Sequence, residues 1–231
     1  MTDLARARGT VRVGLILSGV ALVALAGVYV MALQYTPIEA SQGLAQKIFY
    51  VHVPSAWDAL MAFSLTGLVS ALYLWLRDPR LDMFAASSAE VGLVFGSIML
   101  TTGPLWGRPI WGTFWQWEPR LTLTLFLFLL FVGYFALRGA FTDRAEKARF
   151  SAVVGILGMI LVPFIHLSVY LFRTIHPRPV ILKPSAPSLP GEMLRTLLTS
   201  FFVFTVLYVG LVMTRYGMAL VAEARGADDA D

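Results

Sequence analysis

Val-Gly-Leu-Ile-Leu-Ser-Gly-Val-Ala-Leu-Val-Ala-Leu-Ala-Gly-Val-Tyr-Val-Met-Ala-Leu, residues 13–33, holds no charged side chain and decides the fold class. A transmembrane helix needs about 20 mostly apolar residues, and this run supplies them. Its length and the lack of a small-x-small cleavage site predict a retained span rather than a signal peptide. Five more runs follow: residues 57–76, 88–105, 120–138, 150–172 and 194–216. Arg77-Asp78-Pro79-Arg80 ends the second as a charged turn. Ser87 and Glu90 read as a capping box at the start of the third. Gly92 and Gly96, four apart, suit close helix packing there, and Gly103-Pro104 ends it. Pro119 is a good first-turn proline for the fourth, and Pro163 reads as a kink in the fifth. The expectation is an all-α, polytopic bundle of six transmembrane helices. It forms one membrane domain over residues 1–231, with an external Trp-rich segment at 104–120.

Composition agrees. The chain is 58% hydrophobic and 14% charged, whereas soluble domains carry roughly a quarter charged residues. With no cysteine, thiolate metal sites, iron–sulfur clusters, cysteine nucleophiles and the C-x-x-C-H attachment motif are all excluded. Imidazole chemistry must use His52, His166 or His176. There is no Walker A motif, so any ATP chemistry belongs to a partner. Nothing resembles a hydrolase site or a nucleic-acid interface. The reading is a binding protein in lipid, not an enzyme.

Loop charges orient the bundle. Arg6, Arg8, Arg12, Arg77, Arg80, Arg138, Arg144, Lys147, Arg149, Arg215 and Arg225 share one side. The positive-inside rule makes that side cytoplasmic, with both termini. The outer side holds Lys47, Arg108, Arg120, Arg173, Arg178, Lys183 and Arg195.

Three outer segments gather the chemistry. In Pro104–Arg120, Trp106, Trp111, Trp115 and Trp117 make up four of the six tryptophans. An aromatic belt is the plain alternative, since Trp favours membrane interfaces. Belt residues, however, are usually spread over several helix ends. Here Gly107, Pro109, Gly112 and Pro119 suggest a fixed non-helical path, with Phe114, Glu118 and Arg120 beside the rings. A flat aromatic ligand with acidic arms would fit, its carboxylate meeting Arg120. His52 and His176 lie on this same side, and two opposed imidazoles clamp haem iron well. Either histidine alone would more simply be a hydrogen-bonded interfacial residue. His166, inside the fifth span, reads as a supporting residue near Pro163. Lys47, Arg173 and Arg178 are further candidates for haem propionates, after Arg120.

Trp-Gly-Thr-Phe-Trp-Gln-Trp-Glu-Pro-Arg-Leu-Thr, residues 111–122, resembles the tryptophan-rich WWD segment of the CcmC family, which handles haem in cytochrome c maturation. Tyr50-x-His52-x-Pro54 and Ile175-His176 are also similar to that family, over nearly the whole chain. Phe114 and Glu118 stand where the family usually has Trp and Asp. The resemblance implies haem b carried transiently as cargo, with His52 and His176 as axial ligands and the Trp segment in contact. It implies a multi-pass protein of a bacterial inner membrane with a periplasmic haem site. It also implies partners: a CcmE-type periplasmic haem chaperone, an ABC ATPase, a second membrane subunit and a small single-span subunit.

Three other readings compete. A membrane di-haem oxidoreductase needs more histidines within helices. A transporter or permease for haem or another substrate needs a polar path at mid-membrane, for which His166 and a few Ser and Thr are thin material. A structural assembly subunit would use the Trp segment to dock protein.

Overall fold

Helix starts in this chain share one chemistry. Asp78, Glu118 and Asp143 each accept a backbone N–H from the first helical turn: Arg80 N at 2.9 Å, Leu121 N at 2.6 Å and Glu146 N at 2.7 Å. Such caps satisfy donors a helix start leaves free. Pro79 and Pro119, which have no N–H to lose, follow two of them. The computed structural model describes residues 3–181, 183 and 185–228. Its helices are α1 (Asp3–Val30), α2 (Phe49–Leu76), α3 (Pro79–Trp111), α4 (Pro119–Ala140), α5 (Arg144–Leu171) and α6 (Gly191–Asp228). A π-helical turn, Met31–Tyr35, prolongs α1, and a 3-10 turn, Leu44–Ile48, leads into α2. All six helices are long and apolar enough to cross a membrane.

Several boundaries differ from the sequence reading. α3 begins at Pro79, so Ser87 and Glu90 cap nothing. The Ser87 hydroxyl donates to the Met83 carbonyl at 2.8 Å, and Glu90 accepts from Arg215 Nη2 at 2.7 Å. Gly103-Pro104 does not end α3; the helix runs through Pro104 and Pro109 to Trp111 and stops at Gly112, whose φ is 77°. Thus Gly107 and Pro109 lie in helix rather than in an irregular path. In lipid, one missing N–H costs less than abandoning the helix, which would strip many backbone groups of partners. By the same logic α2 starts at Phe49 and carries Pro54 inside, which makes His52 helical.

α1 packs chiefly on α6, α2 on α3 and α5, and α4 on α5. The α1–α6 contact is backbone-close: a Cβ on Gly14 would lie 2.7 Å from the Gly210 carbonyl oxygen. Small residues permit such approach where lipid offers no hydrophobic drive between helices. In the core, Phe63 stacks on Phe131 with centroids 4.0 Å apart. The interior is more polar than the sequence reading allowed. Asp58, fully buried, accepts from Thr205 at 3.1 Å, and Ser88 bonds the Tyr208 hydroxyl at 2.8 Å. Asp58 stood at the edge of the predicted span; the longer α2 carries it inside.

At the arginine-rich end, Arg138 holds Asp82 through two bonds of 2.6 and 2.9 Å, each side chain 16% exposed. Removing one partner strands the other charge. Asp82→Asn is expected to cost about 1–3 kcal/mol and to lower the unfolding temperature in detergent. Asp82→Asn with Arg138→Gln should lose less. A double variant as unstable as the single one contradicts this account.

Candidate functional site

At the opposite end the chain brings together the first turns of α2, the last turns of α3, residues 112–118, the start of α4 and the segment after α5. His52 projects from α2 toward α3, where its Nδ1 lies 3.0 Å from Thr102 Oγ1. The Thr102 hydroxyl donates its hydrogen to the Ile98 carbonyl at 2.7 Å. Its oxygen is therefore placed to accept, which puts the imidazole proton on Nδ1 and leaves Nε2 as a lone pair. His176 arrives at the same state by another route. Its backbone N–H donates to Thr174 Oγ1 at 3.1 Å, and its Nδ1 lies 2.9 Å from the Pro177 carbonyl oxygen, which only accepts. Desolvation, then the Arg120 cation, hold the His176 pKa down to about 3, with a smaller contribution from His52. One electrostatic neighbourhood thus contains both histidines and Arg120. Each histidine has Nδ1 tied back to protein and, among the described residues, no partner on Nε2, the arrangement that orients a metal ligand.

Each imidazole has its own indole. Trp106 stands edge-on to His52 at 5.7 Å and to Phe49 at 5.8 Å, its N–H donating to Gln42 Oε1 at 3.1 Å. Trp111 lies 6.4 Å from His176. It rests on Gly107, where a Cβ would come within 2.8 Å of the indole. Beyond the Gly112 turn, Trp115 and Trp117 meet edge to face at 5.7 Å. Among the described residues the Trp115 N–H is buried without a partner, whereas Trp117 is 77% exposed. Phe114 is also exposed, under the Arg108 guanidinium at 5.5 Å.

The predicted charges separate into distinct roles. Glu118 caps α4 with one oxygen and accepts the Thr174 hydroxyl with the other. It ties the segment bearing His176 to the start of α4. Lys47 donates to the Thr36 carbonyl at 2.7 Å and the Pro37 carbonyl at 3.0 Å, closing the end of α1. Arg178 covers Tyr170 at 5.5 Å, and Arg173 is exposed. Arg120 alone among these candidates acts on His176 electrostatically. It lies near Glu118 and Tyr170, and among the described residues its Nη1 is buried without a hydrogen-bond partner. His166 on α5, 6.3 Å from Tyr170, is also within reach of the Arg120 charge, but among the described residues no hydrogen bond fixes its ring. Sequence reasoning missed Thr102, Thr174 and Gln42, which hold the chemistry in place but carry no motif of their own.

Among the described residues no group of three or more His, Cys, Asp or Glu could hold a metal. An ion bound here must bring most of its own ligands, as iron in a porphyrin does. The donor set available is two imidazoles and, among the described residues, two buried donors without a partner, Arg120 Nη1 and Trp115 Nε1.

Comparison with known proteins adds an independent line. The family described as CcmC, heme exporter protein C, matches residues 5–230. Heme exporter protein C of Bradyrhizobium diazoefficiens is 38% identical over 185 residues, 80% of this chain and 70% of the relative. The Haemophilus influenzae protein of that name is 37% identical over 196 residues, covering 84% and 79%. That of Escherichia coli K12 is 32% identical over 192 residues, covering 83% and 77%.

Proposed function

Because the chain belongs to the CcmC, heme exporter protein C, family, we propose that it is a haem-handling membrane subunit of cytochrome c maturation whose site lies between His52 and His176. The observation that carries this reading is the pair of imidazoles with Nδ1 engaged, beside an arginine whose buried Nη1 has no hydrogen-bond partner among the described residues. Haem supplies the iron and the four ring nitrogens. His52 and His176 take the axial positions, Arg120 meets a propionate, and Trp106, Trp111 and Trp115 line the ring. Aromatic side chains bury large apolar areas, which suits a porphyrin. Phe114 and Trp117, exposed at the rim, are available to a partner.

Binding and release, rather than bond-making in the chain, is the proposed activity. The arginine-rich end faces the cytoplasm of a bacterial inner membrane, with both termini, and the haem site faces the periplasm. A CcmE-type chaperone takes the haem from the exposed rim. An ABC ATPase, a second membrane subunit and a small single-span subunit complete the assembly and supply the ATP chemistry absent from this sequence.

Two measurements test this. The chain purified in detergent and supplied with haem should give a six-coordinate, low-spin absorption spectrum at one haem per chain. A topology reporter fused after Asp231 should read as cytoplasmic, and one inserted at residues 112–118 as periplasmic. Failure to retain haem, or the reverse reporter pattern, overturns the reading.

A further inference from the structure

We propose that Thr102 is a positioning residue for the His52 ligand, an inference that rests on the haem reading above. Its oxygen accepts the Nδ1 proton of His52, and so fixes the tautomer and the ring plane that present Nε2 to iron.

Thr102 sits in the last part of α3, facing α2. Its hydroxyl is held by a bond to the Ile98 carbonyl at 2.7 Å, four residues back along the helix. That bond selects one side-chain rotamer and turns the free lone pair outward. His52 Nδ1 meets this lone pair at 3.0 Å. With the Thr102 hydrogen directed to Ile98, an acceptor on that side calls for a proton on Nδ1, which excludes the tautomer that would place the proton on Nε2 and block iron.

The next residue completes the seat. A Cβ on Gly103 would lie 3.1 Å from His52 Cε1, so the ring rests almost directly on the α3 backbone. Trp106, one turn further on, closes the third side at 5.7 Å. One stretch of α3 therefore orients His52 by hydrogen bond, by contact and by an aromatic edge. His176, in contrast, uses the Pro177 backbone carbonyl for the same purpose. Of the two ligands, only His52 has a side chain on Nδ1 that substitution can remove.

Acceptors behind a ligating histidine raise its basicity and hold its orientation, and losing one typically weakens metal binding ten- to hundredfold. The expected loss in Thr102→Val is about tenfold in haem affinity, the lower end of that range. A less basic imidazole favours ferric iron less, so the haem midpoint potential should rise. Thr102→Ser keeps the oxygen and should restore both. The experiment compares haem affinity, absorption spectrum and midpoint potential for wild type, Thr102→Val, Thr102→Ala, Thr102→Ser and His52→Ala, all purified in detergent. Thr102→Ala provides the same test in less volume should valine disturb folding, which helical circular dichroism of haem-free protein monitors. Weaker binding and a raised potential in Val or Ala, with recovery in Ser, support the proposal. Wild-type affinity and potential in Val and Ala overturn it if His52→Ala loses haem. Wild-type haem binding in His52→Ala overturns the ligand reading itself, and the Thr102 role with it.

Discussion

Alanine at His52 or at His176 is expected to remove six-coordinate haem from the purified chain while leaving all six helices inserted. In the proposed reading the two rings share one site, and each supplies one axial bond to the same iron. Loss of either leaves iron five-coordinate or open to water, and haem retention should fall by at least about ten- to hundredfold. The fold should survive, because neither side chain belongs to the main hydrophobic core, which is built around Phe63, Phe95 and Phe131. His166→Ala is expected to do much less, since among the described residues no hydrogen bond orients the His166 ring as Thr102 and the Pro177 carbonyl orient the other two. Acid should discriminate as well. An unperturbed imidazole is half protonated near pH 6.5, and protonation competes with iron for the lone pair. With the His176 pKa held down to about 3, that competition is absent at neutral pH and grows only as pH falls toward 3. The spectrum of the loaded protein should therefore stay constant from pH 8 to 5. Absorption spectra of the three variants and a pH series on wild type check this. Loss of haem in His166→Ala alone contradicts the ligand assignment.

Arg120 gives the second large effect, in two opposite directions. Its Nη1 is buried and, among the described residues, has no hydrogen-bond partner, a costly state for a charge without ligand. Arg120→Met should therefore leave the haem-free protein as stable as wild type, or more so. Yet a charge-assisted bond to a propionate contributes about 1.5–3 kcal/mol, so the same change should weaken haem binding about ten- to hundredfold. Trp115→Phe, which removes only the unpartnered indole N–H, should show the same pattern more mildly. Trp75, 80% exposed at the other end of α2, serves as the control. An aromatic belt predicts similar small defects at Trp75 and Trp115, with haem unchanged. Unfolding temperature without haem, set beside haem affinity, separates the two cases. Loss of both together in Arg120→Met assigns Arg120 to folding alone.

Much of this was readable in the residues. Uncharged apolar runs define the six spans because lipid tolerates little else. Asp78-Pro79 and Glu118-Pro119 mark helix starts because a carboxylate and a missing N–H suit a helix entrance. His52, His176 and Arg120 were proposed from the loop charges and from the resemblance of residues 111–122 to the WWD segment, and the structure gathers them at one end of the bundle. The extent of α3 was not, because Gly103-Pro104 and Pro109 signal breaks in water but not in lipid. That error hid Thr102, which faces His52 only because α3 continues past it. Lys47 stood as a propionate candidate on charge and proximity in sequence, whereas folding directs it to the backbone at the end of α1. Asp58 escaped notice because its hydrogen-bond partner, Thr205, lies far along the chain.

The pairing of first helix with last also bears on biosynthesis. α1 finds its main partner in α6, and Asp58 of α2 waits for Thr205 of that same helix. A nascent chain that has emerged only as far as α5 holds a carboxyl group in the bilayer without its hydroxyl partner, and a small-residue seam on α1 with nothing to close it. Completion of the bundle is thus postponed until the ribosome has delivered the final span. Until then the unfinished chain presents to quality-control proteases and insertion chaperones a polar membrane surface that the finished protein conceals.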